Sequence, residues 1–202
     1  MSIYGAYEAT LEQITEEMIS RLYRLKERPE EEGGRLFTYV TSRIKTDESV
    51  CEKCSRRGLP FTTLSALTGI YDSIGIRVIC RFLDDVYLVV DEIKKFDRCR
   101  LVEEKDYIRD AKPNGYRSYH LIVEIEVPYP DVRGERPGHY YVEFQVRTIA
   151  MDTWANLEHE IKYKRDVQNQ KIITAELKKC ADQLASCDLS LQTLRRLIAS
   201  KE

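Results

Sequence analysis

Two short stretches of the chain concentrate residue types that could do chemistry. Residues 112–120 form a Pro-Asn-Gly turn that presents an aromatic ring, two cations and an imidazole within nine positions. Residues 142–148 alternate apolar and polar side chains, which point to opposite faces in an extended strand. The polar face carries Glu143, Gln145 and Arg147, and groups of this kind need polar partners when they are covered. The pattern therefore predicts a site for a polar ligand.

Cations are concentrated in two upstream segments that a sheet could bring together. They are Arg43, Lys45, Lys53, Arg56, Arg57 and Arg77. Guanidinium groups pair with phosphate oxygens and stack on bases, so this cluster suits a nucleoside triphosphate. Acidic residues are interleaved at Asp47, Glu48 and Glu52, and a solvated charged face is the alternative interpretation.

Asp72 and Glu143 form the candidate catalytic pair. Both are bordered by apolar residues. Together they suit Mg²⁺, which takes oxygen ligands and bridges substrate phosphates. Taken singly, each carboxylate could instead be the partner of a nearby arginine.

Composition limits the class of protein. A chain of 202 residues can form one domain with a sizeable core, and its net charge of −2 argues against wholesale binding to nucleic acid or membranes. The absence of a long apolar stretch or a secretory signal predicts a cytoplasmic protein without membrane contact, with its six cysteines reduced. We interpret Cys51 and Cys54 as small apolar filler, because a structural zinc site normally needs four ligands.

Periodicity predicts the elements that position these residues. Apolar residues at Leu11, Ile14, Met18 and Leu22 predict an N-terminal helix. The later patterns predict, in order, a strand over 37–45, a helix over 49–57 ended by Gly58, a strand over 76–82, a helix over 84–95 capped by Asp84 or Asp85, a strand over 119–127, the Glu143 strand, and a helix capped by Thr148. Because the last two strands are joined directly, they should be antiparallel. We therefore expect an α+β fold, with a mixed β-sheet of about five strands surrounded by helices and with helical ends.

The final segment repeats small and apolar residues in a 4-3 spacing, typical of a helix that packs on another helix. The positions are Ile173, Leu177, Cys180, Leu184, Cys187, Leu191, Leu194 and Ile198. The partner could be the first helix of the same chain or a helix of another subunit, and both satisfy the pattern.

Taken in order, these motifs resemble the synthetase domain of the RelA/SpoT-homologue family, the enzymes that make guanosine tetra- and pentaphosphate. The resemblance covers about residues 37–165. It rests on Thr41-Ser-Arg43-Ile-Lys45, Ile70-Tyr-Asp72-Ser-Ile-Gly-Ile-Arg77, Asp106-Tyr-Ile, the two stretches above, and the helix around Trp154, Glu158-His159 and Tyr163-Lys164. In its length and in the sequences of its motifs, the chain is similar to the small alarmone synthetases. This implies an N-terminal helical segment at 1–35, a synthetase domain at 36–166 and a C-terminal helix at 167–202 for packing or oligomerisation.

The resemblance implies a nucleotidyltransferase-like fold and GTP pyrophosphokinase activity. Such an enzyme transfers the β,γ-pyrophosphate of ATP to the 3′-hydroxyl of GDP or GTP with Mg²⁺ and releases AMP. It also implies a homotetramer. The family's hydrolase half needs a His-Asp motif, and no such pair occurs at His120, His139 or His159, so we expect synthesis without degradation.

Roles for the donor and the metal follow from the same resemblance. Arg43 and Arg77 would flank the adenine of ATP. Its phosphates would be held by Lys45, Ser49 and Lys53, with Arg56 in the same site. Asp72 would ligate Mg²⁺, and Glu143 would share that ion or accept the proton of the attacking hydroxyl.

The acceptor nucleotide would lie against the Pro-Asn-Gly turn. By resemblance Tyr116 stacks on the guanine, although a surface aromatic is the plain alternative. The other acceptor contacts implied are Lys112, Asn114, His120, Gln145, Arg147 and His159. For His159, a satisfied core histidine is the alternative.

Two positions depart from the family pattern. Asp152 replaces an asparagine and Tyr39 replaces a phenylalanine at the cleft where tetramers of the small branch bind an alarmone. An extra negative charge would repel phosphate, which argues against allosteric activation by pentaphosphate.

Two other functions compete with nucleotide pyrophosphorylation. A toxin-like relative that modifies the 3′ end of tRNA would need a basic surface, which the mild net charge does not favour. A non-catalytic module that binds single-stranded RNA or nucleotide would have no chemical need for Asp72, Glu143 and Tyr116 together.

Overall fold

The computed structural model describes residues 2–26, 34–163 and 170–199. Five strands form one sheet: β1 (Phe37–Ile44), β2 (Ile74–Cys80), β3 (Cys99–Asp106), β4 (Tyr119–Val127) and β5 (Gly138–Thr148). The main helices are α1 (Glu8–Lys26), α2 (Asp47–Arg57), α3 (Leu83–Ile93), α4 (Ile149–Tyr163) and α5 (Gln170–Ala199). Short 3₁₀ and π-helical turns lie at Gly5–Tyr7 and Ser65–Gly69.

The sheet is mixed, with the strand order β1-β2-β5-β4-β3. β2 and β5 are parallel, and the other three neighbouring pairs are antiparallel. The predicted mixed sheet of about five strands is therefore confirmed. The sequence patterns did not identify β3, because this edge strand is largely polar and exposed and so lacks a clean apolar alternation.

One face of the sheet holds the hydrophobic core. α1 and α3 pack on this face, where Phe144 of β5 is fully buried. The predicted apolar stripe of α1 is also buried, at Leu11, Ile14, Met18 and Leu22. Each such side chain contributes about 2 kcal/mol when it is removed from water. The opposite face carries polar residues, and α4 covers part of it, where Asp152 pairs with Arg77 and Arg147.

Local signals set most helix ends. Thr46 caps α2 through its side chain, and Gly58 ends it in the left-handed region at φ 66°, where a glycine is favoured. The helix therefore ends as predicted but begins two residues earlier. Thr148 caps α4 as predicted, because its hydroxyl accepts the Met151 amide at 3.1 Å.

The predicted cap of α3 is wrong. The N-cap residue is Phe82, and Asp84 and Asp85 lie inside the first turn. Their carboxylates instead accept hydrogen bonds from α5, where Arg196 binds Asp84 and Arg195 binds Asp85. A long-range docking contact has taken the place of a local cap.

The C-terminal helix buries a different face from the one predicted. α5 packs along α4 and against α3, rather than along α1. Its buried side chains are Ala181, Asp188 and Gln192, whereas Leu194 and Ile198 of the predicted seam are exposed. Docking of this seam on the first helix is therefore wrong, and contact between subunits stays a prediction.

The six cysteines are free thiols. Cys54 is buried, as expected of apolar filler, but Cys51 is exposed on α2, so that interpretation is wrong for Cys51. Within the described ranges, none of the helices combines the length and the apolar character needed to cross a membrane.

Candidate active site

A row of polar side chains crosses the open face of the sheet. Strand pairing sets Arg77 of β2 beside Gln145 of β5, Gln145 beside His120 of β4, and His120 beside Lys105 of β3. Paired residues in adjacent strands share a face. Four strands therefore present consecutive polar groups over one surface.

Two neighbouring clefts open on this face. The first has a volume of about 250 Å³ and is lined by Thr41, Ser42, Arg43, Gly75, Ile76, Arg77 and Gln145. The second has a volume of about 210 Å³ and is lined by Glu103, Lys105, Tyr107, Lys112, His120, Ile122 and Glu143. β5 contributes Gln145 to the first cleft and Glu143 to the second. The two clefts thus meet at β5.

Asp72 stands just before β2 and is held by two lysines. Its Oδ2 lies 3.2 Å from Lys45 Nζ and 2.6 Å from Lys53 Nζ. Lys53 reaches it from α2, four residues after Ser49, so these two residues share one side of that helix. The predicted phosphate-binding lysines therefore converge on the predicted metal ligand.

Glu143 is a partly buried carboxylate with two partners. His120 Nδ1 lies 3.2 Å from Oε1, and Gln145 Nε2 donates to Oε2 at 2.8 Å. Burial by itself would raise the pKa of Glu143. The contact with His120, the Gln145 hydrogen bond and the charge of Lys53 outweigh burial and lower that pKa to about 2. Lys53 thus acts on both Asp72 and Glu143.

The residues present fit a bound Mg²⁺. Asp72 Oδ1 is buried and has no hydrogen-bond partner among the described residues. An unpaired buried carboxylate oxygen is unfavourable, and a cation would satisfy it. The described part of the chain contains no cluster of three or more protein groups that could hold a metal by itself. An ion here would therefore complete its coordination with substrate phosphates and water, as Mg²⁺ usually does.

A chain of hydrogen bonds connects the two clefts. Tyr116 Oη lies 2.8 Å from His120 Nε2 and accepts from Arg147 Nη2 at 2.7 Å. Since the hydroxyl accepts from Arg147, its own proton can go to Nε2, which leaves the Nδ1 proton for Glu143. Arg147 Nη1 then donates to Asp152 Oδ1 at 3.2 Å, and Arg77 Nη1 lies 3.1 Å from the same oxygen.

Arg147 is the most enclosed member of that chain. Its residue is 3% exposed, and its guanidinium donates to Ser118, Gln145, Tyr116 and Asp152. Every nitrogen of the group has a protein partner. In this structure Arg147 therefore orients other site residues.

Nearly all of the stretch that lines the two clefts is shared with known proteins. Residues 42–168, more than half of the chain, match the region found in RelA / SpoT proteins. The chain belongs to the RelA/SpoT family. It is 44% identical over 150 residues to GTP pyrophosphokinase YwaC of Bacillus subtilis, a match that covers 74% of this chain and 70% of that protein.

Solved structures of the family share the fold. The small alarmone synthetase 1 from Bacillus subtilis superposes with a TM-score of 0.81 at 28% identity and covers 96% of each chain. The same synthetase bound to its product pppGpp gives a TM-score of 0.77 at 28% identity, over 96% of this chain and 95% of that one. As predicted, the chain groups within the RelA/SpoT family with the small alarmone synthetases.

Most residues predicted for the RelA/SpoT site lie around the two clefts. Asn114 donates to Glu158 of α4 at 3.0 Å and accepts the Tyr116 amide at 3.2 Å, so it shapes the turn. Lys112 Nζ lies over the Tyr107 and Tyr116 rings, 4.5 and 4.7 Å from their centroids. Burial and the nearby Lys105 lower the pKa of Lys112.

Two predicted residues lie differently. Arg56 lines a separate, wide cavity of about 870 Å³ with Asp47, Glu48 and Phe61, not the cleft that contains Arg43. His159 lies on an exposed face of α4, so the interpretation as a core histidine does not describe it. Roles in nucleotide binding stay predictions for both residues.

Sequence reasoning missed Lys105 and Tyr107 as site residues. Lys105 lines the second cleft opposite His120, and Tyr107 packs edge-on against the Tyr116 and His120 rings. Recognition of β3 as a strand paired with β4 in this register would have placed Lys105 on the same face as His120, because paired residues of neighbouring strands share a face.

The extra negative charge predicted at Asp152 is balanced. Asp152 is 5% exposed, pairs with Arg77 and Arg147, and accepts a 3.4 Å hydrogen bond from Tyr39. Asp152 and Tyr39, the two residues that differ from the family pattern, therefore contact each other. An ion cluster at this position weakens the argument that a free charge repels phosphate.

Proposed function

We propose that this protein transfers the β,γ-pyrophosphate of ATP to the 3′-hydroxyl of GDP or GTP and releases AMP. The chain is an enzyme of the GTP pyrophosphokinase class, as are its named relatives. One observation carries the finer proposal. Two clefts meet at β5, next to two carboxylates that share a lysine.

The first cleft suits the ATP donor. Arg43 and Arg77 line it, and guanidinium planes can sandwich an adenine. Lys45 and Lys53, next to Asp72, would hold the phosphates, with Ser49 on the same side of α2. The structure of small alarmone synthetase 1 bound to AMPCPP supports a donor nucleotide of this type.

The second cleft suits the guanine nucleotide acceptor. Tyr116 supplies an aromatic ring whose orientation is fixed by hydrogen bonds from Arg147 and to His120. Lys105 and Lys112 supply positive charge for acceptor phosphates. The pppGpp complex of the same synthetase supports a guanine nucleotide ligand.

Asp72 and Glu143 would hold Mg²⁺ between the clefts. When bound, that ion would neutralise phosphate charge and orient the pyrophosphoryl group. With its pKa lowered to about 2, Glu143 stays anionic near neutral pH. Such a weak base is poorly matched to proton abstraction, so the lowered pKa favours metal binding and orientation of His120 over the role of general base.

In the proposed reaction the 3′-hydroxyl oxygen of the acceptor attacks the β-phosphorus of ATP, and its proton is released to water. The bond from that phosphorus to the oxygen shared with the α-phosphate breaks, and AMP leaves. The protein's contribution is to align oxygen and phosphorus across β5 and to neutralise charge. The proposal also includes a cytoplasmic homotetramer and no alarmone hydrolysis.

The direct test is product analysis. Purified protein is incubated with Mg²⁺, γ-labelled ATP and either GDP, GTP or GMP, and the nucleotides are separated by chromatography. We expect equal amounts of AMP and labelled guanosine 3′-pyrophosphate. Formation of ADP, transfer of label only to added tRNA, or no AMP at all would contradict the proposal.

A further inference from the structure

The turn proposed to hold the acceptor rests directly on the C-terminal helix. Gly115 adopts φ +92°, a conformation that favours glycine. A Cβ added there would lie 2.5 Å from Ala181 Cβ and 3.4 Å from Lys178 Cα. The backbone of the turn therefore sits on the surface of α5 with no room for a side chain between them.

The side chain of Arg117 makes a second contact between the same turn and α5. Arg117 donates to the Gly115 carbonyl at 3.2 Å and to the Ala181 carbonyl at 3.4 Å. Its other terminal nitrogen donates to Asp182 at 3.1 Å. One guanidinium thus joins the turn to two consecutive residues of α5.

Trp154 links α5 to the ring of Tyr116 from the other side. Its indole nitrogen donates to the Leu177 carbonyl at 2.7 Å. Its ring packs against Tyr116 with 6.4 Å between centroids. The space enclosed by Gly115, Trp154 and Ala181 is only about 10 Å³, so the three elements are closely packed.

We propose that α5 positions the acceptor turn, with Ala181 as the positioning residue that sets where Tyr116 stands. The proposal rests on the proposed function, in which Tyr116 contacts the guanine nucleotide. A displaced helix would move Gly115 and Trp154, and hence the Tyr116 ring, relative to β4 and β5. Arg43 and Arg77 lie on β1 and β2, and Arg77 is joined to Tyr116 only indirectly through Arg147 and Asp152, so the affinity for ATP should change far less than the affinity for the acceptor.

The test substitutes a larger side chain where the turn meets the helix. In Ala181→Leu the added atoms would push the turn away from α5, so we expect the KM for the acceptor to rise about tenfold. The KM for ATP should stay within about twofold. Cys180→Leu is the matched control, because Cys180 is the exposed neighbour on the same helix. Ala181→Ser, similar in size to alanine, should restore wild-type values.

A binding measurement separates this proposal from the proposed reaction. Trp154 is the single tryptophan of the chain and lies beside Tyr116, so its fluorescence can report on GDP without turnover. If the wild type makes no AMP, the proposed function fails, and the GDP titration still decides whether α5 positions the turn. Loss of GDP affinity in Ala181→Leu but not in Cys180→Leu supports the proposal. Absence of any GDP response in the wild type overturns it.

A folding defect needs its own control. If Ala181→Leu does not fold, Arg117→Gln is tested instead. It removes the guanidinium that joins the turn to α5 and adds no volume, and we expect a severalfold weaker GDP affinity. Equal loss of GDP and ATP-analogue affinity in the variant that folds would overturn the proposal. Unchanged GDP affinity in Arg117→Gln and in folded Ala181→Leu would overturn it as well.

Discussion

Glu143 shows how neighbours decide the character of a single side chain. An isolated buried carboxylate would tend to take up a proton. Here His120, Gln145 and Lys53 keep the group charged. The same contacts fix its direction, since each oxygen has one partner. A permanent anion of fixed direction suits the proposed magnesium site.

Replacing Glu143 tests this role. In Glu143→Gln the shape is kept and the charge is lost, so we expect nucleotide binding to persist while AMP release falls by at least about a hundredfold. Glu126→Gln is the matched control, because Glu126 is exposed on the neighbouring strand β4. Normal AMP release by Glu143→Gln would remove this residue from the mechanism.

At Tyr116 the contributions of the aromatic ring and of the hydroxyl to nucleotide binding can be tested separately. Tyr116→Ala removes the stacking surface, worth about 1–3 kcal/mol per base, and should weaken GDP binding far more than ATP binding. Tyr116→Phe keeps the ring and removes only the hydroxyl that joins His120 to Arg147. We expect a smaller loss of GDP affinity in that variant. Calorimetric titration of each nucleotide compares the two variants, and equal losses of ATP and GDP affinity would contradict a stacking role.

At the scale of elements, the junction of α4 and α5 depends on a buried acid. The Thr148 hydroxyl caps α4 and donates to Asp188 of α5 at 2.6 Å. Burial raises the pKa of Asp188, although the Thr148 hydrogen bond and the charge of Arg117 oppose this. The same carboxylate therefore joins two helices and carries a desolvation penalty when it is charged.

The stability of this junction should depend on pH. Because the folded-state pKa of Asp188 is raised, the folded state binds a proton more readily than the unfolded chain. Relative to Asp188→Asn, the free energy of unfolding of the wild type should increase as the pH falls from 7 through that raised pKa to about 4. Urea unfolding at several pH values measures this difference.

Asp182 is a control for which we expect the opposite dependence of stability on pH. Hydrogen bonds from Lys178 and Arg117 lower its pKa, so the wild type should lose stability relative to Asp182→Asn as the pH falls through the acidic range. If the wild type and Asp188→Asn instead give parallel curves between pH 7 and 4, Asp188 does not titrate differently on folding.

Sequence predicted elements and faces better than it predicted contacts. Strict alternation placed Glu143 and Gln145 opposite Val142 and Phe144, and the structure confirms this. It could not show that Arg147 is buried, because its partners Ser118 and Asp152 lie on other elements. In α5 the 4-3 pattern indicated a helix but not its buried face. That face depends on α3 and α4, which no local pattern describes.

At the scale of the whole molecule, α5 leaves an apolar strip uncovered. Leu191, Leu194 and Ile198 are each about half exposed or more. An exposed row of this kind favours contact with another subunit. It supports the homotetramer that the small alarmone synthetase resemblance implies.

A charge on this strip should disrupt assembly. We expect Leu194→Glu to elute as a smaller species in size-exclusion chromatography with light scattering, with its helical circular dichroism unchanged. Thr193→Glu, at an exposed polar neighbour, should keep the wild-type mass. A wild-type protein that is already monomeric would contradict the prediction.

The one parallel ladder of the sheet has a consequence for synthesis of the chain. β2 pairs with β5, although β3 and β4 are made between them. A ribosome that has finished β1, β2 and α2 has produced the arginines of the first cleft but not its Gln145 wall. A chain that stops before β5 also lacks Glu143, so under the proposed function it should make no alarmone.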